Sequence, residues 1–175
     1  MHGRMIARVL VPVAGLILLM PSMASRAQTA MSRSKQRRVR IYLAKEMKEG
    51  DRDDPKNPGN LRPLNRQVNA ASPLRATLEV LLAGPTQAEE RQGFMDISFG
   101  IKLVKVLIKG DTVRADFTMP RGAAFSGDNS PFLFSDAVEF TARQFPGVKK
   151  VFVCLDGILD FGSESDKPPR KCPQL

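Results

Sequence analysis

The chain has 175 residues and carries 27 Lys and Arg against 18 Asp and Glu, for a formal net charge of +9, with one histidine, no tryptophan and two cysteines. The single histidine, His2, stands at the extreme amino end. The rest of the chain therefore lacks the base of a Ser/His or Cys/His mechanism and the commonest zinc ligand. A basic balance of this size favours anionic surfaces such as phospholipid head groups, wall polymers or nucleic acid.

Arg4 and Arg8 precede an apolar run over residues 9–20 that Pro12 and Gly15 interrupt, and a small-residue stretch ends in Ser25-Arg26-Ala27. These are the three parts of a secretory signal peptide, residues 1–27, with cleavage after Ala27. The run is too short and too broken to favour a permanent span, so no stable membrane span is expected after cleavage; retention as an anchor is the other reading. Cleavage removes three arginines and no acid, which lowers +9 to +6. The expected location is extracytoplasmic, in the periplasm or at the cell surface, and nucleic acid is not an expected partner there. Residues 28–37 follow as a flexible basic leader.

Residues 39–43 (Val39, Arg40, Ile41, Tyr42, Leu43) alternate as a strand with one covered face. Residues 46–71 are polar and rich in Pro, Asn and Asp, and read as a long connection with a short extended piece at 61–68. The clearest helix follows. Ser72 is placed to cap it and Pro73 suits its first position, Leu74, Leu78, Leu81 and Leu82 share one face, and Gly84-Pro85 ends it. Thr86 and Glu89 have capping-box spacing for one more helical turn.

Two strands, 103–108 and 112–117, are joined through Lys109 by Gly110-Asp111, which suits a hairpin with a primed turn. Residues 121–128 form a glycine-containing loop without the lysine of a phosphate loop. Ser130 and Pro131 open a second helix through about Gln144, with Phe134, Ala137, Val138, Thr141 and Phe145 as its buried stripe. Residues 148–155 are the last strand, and the apolar run 151–155 suits an interior position in the sheet. Residues 158–161 follow the Asp156-Gly157 turn signal and read as a short returning strand.

The expected fold is α+β: a single two-layer domain over residues 38–161, with a small mixed sheet and two helices on one face in the order β-α-β-β-α-β. Cys154 and Cys172 are both in the exported part, where a disulfide persists. Their bridge would tie the Pro-rich tail, residues 162–175, back onto the domain and is worth roughly 3 kcal/mol in the chain-entropy model.

Taken together, these pieces resemble the GerMN domain, the module named for the spore germination protein GerM. The resemblance rests on residues 74–85 with their Leu-Leu-Ala-Gly-Pro ending, on Glu89 and Gly93, on residues 105–117, and on Thr141 with residues 144–151 and Asp156-Gly157. Residues 61–68 resemble the family's short segment before the helix. The chain differs in carrying Ser98-Phe99-Gly100 where the family tends to have a proline-glycine turn, and in having one copy of the module. The resemblance implies export, a sporulation or spore germination setting, and a binding or scaffolding task without a known set of catalytic residues.

No catalytic, cofactor-binding or metal-ligating constellation is legible, so the expectation is a non-catalytic envelope module without a cofactor, bound to an envelope protein or a cell-wall polymer. Its binding surface is expected on the open sheet face or an edge strand, with Arg40, Tyr42, Arg114 and Asp116 as the alternating residues that point there. Two other readings compete. A small-ligand binding protein would close the 121–128 loop over a pocket. A wall hydrolase would pair two of Asp116, Asp128, Asp136, Asp156 and Asp160 with their pKa values pushed apart.

Overall fold

The computed structural model describes residues 35–47, 54, 57, 59–162 and 167–175. The expected signal peptide, residues 1–27, and the expected leader through residue 34 lie outside the described residues.

Strand β1 (Gln36–Ala44) begins two residues before the domain boundary read from the sequence, and its alternation buries Val39, Ile41 and Leu43. The polar connection then yields a full strand, β2 (Leu61–Asn69), paired antiparallel with β1 from Gln36↔Asn69 to Ala44↔Leu61. Pro63 is tolerated because it stands opposite Tyr42, whose N–H points away from β2, so the donor that Pro63 lacks would have faced the open edge. On the covered side of β2, Arg66 is satisfied by Glu89 through two hydrogen bonds of 2.8 and 2.6 Å.

Helix α1 (Pro73–Leu82) runs where the leucine spacing places it and buries Leu74, Thr77, Leu78 and Leu81, with Leu82 half-buried. Ser72 is its N-cap residue, but its hydroxyl makes no capping bond. Gly84 closes the helix at φ 72°, with the Asp96 carboxylate 3.2 Å from where a Cβ would stand, so a side chain there meets both strain and crowding. The short helix α2 (Gln87–Glu90) starts in the capping box of Thr86 and Glu89.

The hairpin forms from β3 (Lys102–Lys109) and β4 (Thr112–Thr118), with Gly110 at φ 61° in its turn. Val104 is the extra residue at an irregularity between Leu103 and Lys105. Helix α3 (Ser130–Arg143) is capped at Asn129, one residue before the serine expected there, and the Ser130 hydroxyl instead donates to the Ser126 carbonyl. Its stripe of Phe134, Ala137, Val138, Thr141 and Ala142 is buried. Strand β5 (Lys150–Leu155) runs parallel to β4.

The α+β class holds, but one mixed sheet of order β-α-β-β-α-β is replaced by two sheets, β1-β2 and β3-β4-β5. The reason lies along the second edge of β1. Arg40 N–H donates to Gln144 Oε1 at 2.7 Å, Tyr42 N–H donates to Thr141 Oγ1 at 3.1 Å, and Gln144 Nε2 donates to the Arg40 carbonyl at 2.5 Å. Side chains from α3 and its cap thus occupy the groups that another strand would need. Both long helices touch both sheets, α1 through β1, β2 and β3, and α3 through β1 and β5, so a shared core holds the two sheets together.

Strand β5 is an edge strand, contrary to the interior position its apolar run predicts. Val151, Val153 and Leu155 face the core in register with Val113, Ala115 and Phe117, whereas Phe152 and Cys154 point to the outer face, where the tail joins Cys154. Covalent cover, rather than a neighbouring strand, accounts for the second apolar side. The expected strand at 158–161 is reduced to single bridges from Ile158 to Leu155 and Lys171.

Candidate functional site

Alternation along β4 sends Val113, Ala115 and Phe117 into the core and Thr112, Arg114 and Asp116 to the opposite face. Arg114 Nε donates to Asp116 Oδ1 at 2.6 Å, and Arg114 Nη1 donates to the Pro173 carbonyl at 2.8 Å. The side chains of this pair are only 14% and 19% exposed. Cys154 and Cys172 form a disulfide with their Cα atoms 6.0 Å apart. The tail is further held by Leu159 N–H on the Arg170 carbonyl, Cys172 N–H on the Gly157 carbonyl, and Arg170 on Asp160. The sheet face expected to be open is therefore crossed by the tail, and Arg114 with Asp116 anchors it.

Arg40 and Tyr42 lie on β1, in the other sheet, so the four residues form two places rather than one face. The Tyr42 ring packs against Phe140 with centroids 5.6 Å apart, and a shallow groove of about 310 Å³ runs between Arg40, Tyr42, Glu139, Phe140, Arg143 and Gln144. Arg40 is exposed and has no ion-pair partner among the described residues.

The five acids weighed for hydrolysis are largely dispersed. Asp116 is committed to Arg114, and Asp128 stands exposed in its loop. Asp136 lies on α3 in a groove with Met47, Met95 and Phe132, where burial, with the Glu139 charge, pushes its carboxyl up. Asp156 and Asp160 do share a groove of about 410 Å³. Asp156 accepts from the Thr118 hydroxyl at 2.7 Å and from Met119 N–H. At Asp160, desolvation is outweighed by hydrogen bonds from the Arg170 side chain and backbone, which hold the carboxyl below its usual range. Each acid of that groove thus has a structural partner.

The 121–128 loop sends Phe125 inward, with ring centroids 5.2 Å from Phe99, 6.1 Å from Phe134 and 5.9 Å from Phe161. An aromatic cluster fills the space where a small ligand would be held.

Sequence reasoning missed the cations that share the face of Arg114. The register places Lys102, Lys105, Leu107 and Lys109 of β3, and Lys150, Phe152 and Cys154 of β5, on that same outer side. Parity aligns Lys105, Leu107 and Lys109 within β3, and Lys150, Phe152 and Cys154 within β5. Lys102 has the opposite parity and reaches this face only through the extra residue Val104, and the place of β5 depends on a pairing with β4 that is far apart in sequence.

Two layers of sheet and helix with a strapped tail, and no metal-binding cluster of His, Cys, Asp and Glu among the described residues, define a small α+β module. The chain matches the family described as "Germane: Sporulation and spore germination" over residues 40–159, well over half its length, and belongs to that family. It is similar in fold to the tandem GerMN domains of the sporulation protein GerM from Bacillus subtilis, with a TM-score of 0.53 and 19% identity over 86% of this chain and 50% of that one. It is also similar to the first GerMN domain of the same protein, with a TM-score of 0.51 and 17% identity over 77% and 96%. The chain thus spans half the length of the tandem structure. No curated protein matches it.

Proposed function

We propose that this chain is an extracytoplasmic, non-catalytic GerMN module that binds a cell-wall polymer or an envelope protein through an exposed sheet face. The observation that carries the reading is the outer face of β3-β4-β5. Neither long helix covers it, the tail crosses it only in part, and Lys102, Lys105, Lys109 and Lys150 on it are exposed. Export is supported by the signal-like residues 1–27 and by a disulfide, which persists in oxidising compartments. No helix of the described residues is long and apolar enough to cross a membrane.

The test is co-sedimentation with purified wall sacculi across a salt series, beside an unrelated basic protein of matched charge. Saturable binding that persists at physiological salt, where the control is released, is the expected outcome. Release together with the control would remove the wall-polymer reading and leave an envelope protein as the partner to seek by crosslinking.

A further inference from the structure

The outer face of the three-stranded sheet carries five cations and one acid: Lys102, Lys105 and Lys109 on β3, Arg114 and Asp116 on β4, and Lys150 on β5. Asp116 is bonded to Arg114, so it neutralises none of the lysines. Among the described residues no ion pair involves these four lysines.

Their arrangement has dimensions. Lys102 and Lys109 are seven residues apart on one strand with a bulge between them, a row of about 20 Å, and Lys109 and Lys150 flank Thr112 two strands apart, at about 10 Å. The Lys150 ammonium sits 4.6 Å from the centre of the Phe152 ring, which holds it over the outer face. Between the lysines lie two half-buried apolar side chains, Leu107 and Phe152, one on each side of the Arg114–Asp116 pair. Arg114, whose fork would suit a planar carboxylate, is already committed to Asp116 and Pro173. What remains without an ion pair among the described residues is a set of compact point charges, which bind phosphate without demanding one orientation.

From this we infer that the outer face of β3-β4-β5 is a docking surface for a linear polyphosphodiester of the envelope, whose phosphates lie on Lys102, Lys105, Lys109 and Lys150 and whose carbon spacers cross Leu107 and Phe152. This rests on the envelope-binding reading above and names the polymer chemistry and the face. The row of lysines along the β3 edge and the tail beside it favour a flexible chain over a flat lipid surface.

The test uses the full chain with sodium polyphosphate as probe, in a salt series. Each phosphate contact contributes about one unit to the slope of log affinity against log salt by analogy with nucleic acid. The variant K105Q/K109Q/K150Q is expected to bind at least about tenfold more weakly at about 0.15 M salt, with a slope shallower by about two to three. R62Q/R91Q/R121Q removes three exposed charges elsewhere and is expected to change affinity less than about threefold, by the same screening argument. K105R/K109R/K150R keeps the charge and should restore binding, with unchanged thermal unfolding showing that all three variants are folded.

Equal losses in the two glutamine variants would mean that net charge, or lysines that merely keep an edge strand from pairing, explains the surface, and would overturn the inference. So would tight, lysine-dependent binding to vesicles containing phosphatidylglycerol without binding to polyphosphate. Equal binding to intact sacculi and to sacculi stripped of phosphate polymer by acid would overturn it while leaving the envelope-binding reading in place. Loss of binding on stripping supports it.

Discussion

Glu89 holds two structural tasks at once. It accepts both bonds from Arg66, closes the capping box with Thr86, and so ties β2 to the start of α2. The Arg66 hydrogen bonds outweigh partial desolvation and hold its carboxyl at about 2, against an ordinary 4.5. A carboxyl lowered in the folded state contributes stability that is present above its ordinary value and lost as pH falls through the folded one. Folding should therefore weaken between pH 4.5 and about 2. Allowing for partial exposure, the loss from this group is about 1–2 kcal/mol. Denaturant titrations at pH 7 and pH 3 should show a smaller difference for Glu89→Gln than for the parent; an unchanged difference would mean that other carboxyls carry the acid sensitivity.

At the scale of elements, the edge of β1 is completed by side chains instead of by a strand. Thr141→Val keeps the shape of a fully buried residue but leaves the Tyr42 N–H unpaired, at a cost of about 1–2 kcal/mol. Gln144→Ala removes two bonds to Arg40 at a more accessible place and should cost about 1 kcal/mol. Both changes would appear as lower urea midpoints with unchanged slopes. A neutral result for Thr141→Val would show that water or a local shift satisfies the strand edge.

The same edge explains which elements can be read from sequence. The helices α1 and α3 and the β3-β4 hairpin announce themselves by local periodicity, caps and a glycine turn. β2 shows itself only as a short extended piece at 61–68 and not as a full sheet strand, because Leu61, Leu64 and Val68 are three and four residues apart and Pro63 stands among them. Its strand conformation is supplied by β1, some twenty residues earlier in the chain. The split into two sheets is hidden for a similar reason: Gln144 and Thr141 reach strand groups about 100 residues away. Of the expected binding residues, the alternation of Arg114 and Asp116 was legible, but the bond from Arg114 to Pro173 spans 59 positions and carries no local signal.

Across the whole molecule, the tail turns a sheet face into a half-covered surface. The disulfide joins positions 18 apart, and in the chain-entropy model its loss costs about 3 kcal/mol. Cys154→Ala/Cys172→Ala should lower the thermal midpoint by about 6–12 °C, a range set by chain size. A shift of a degree or less would mean that Arg114 and the tail's backbone bonds suffice to hold it. Among the described residues, the outer face of β3-β4-β5 carries a row of lysines without ion pairs, and a binding role for that face is open to direct test. Backbone and lysine side-chain NMR signals followed through a polyphosphate titration at physiological salt would locate the contact residue by residue. Saturable shifts confined to Lys102, Lys105, Leu107, Lys109, Lys150 and Phe152 are expected; shifts centred on Arg40, Tyr42 and Phe140, or none at all, would contradict binding at this face.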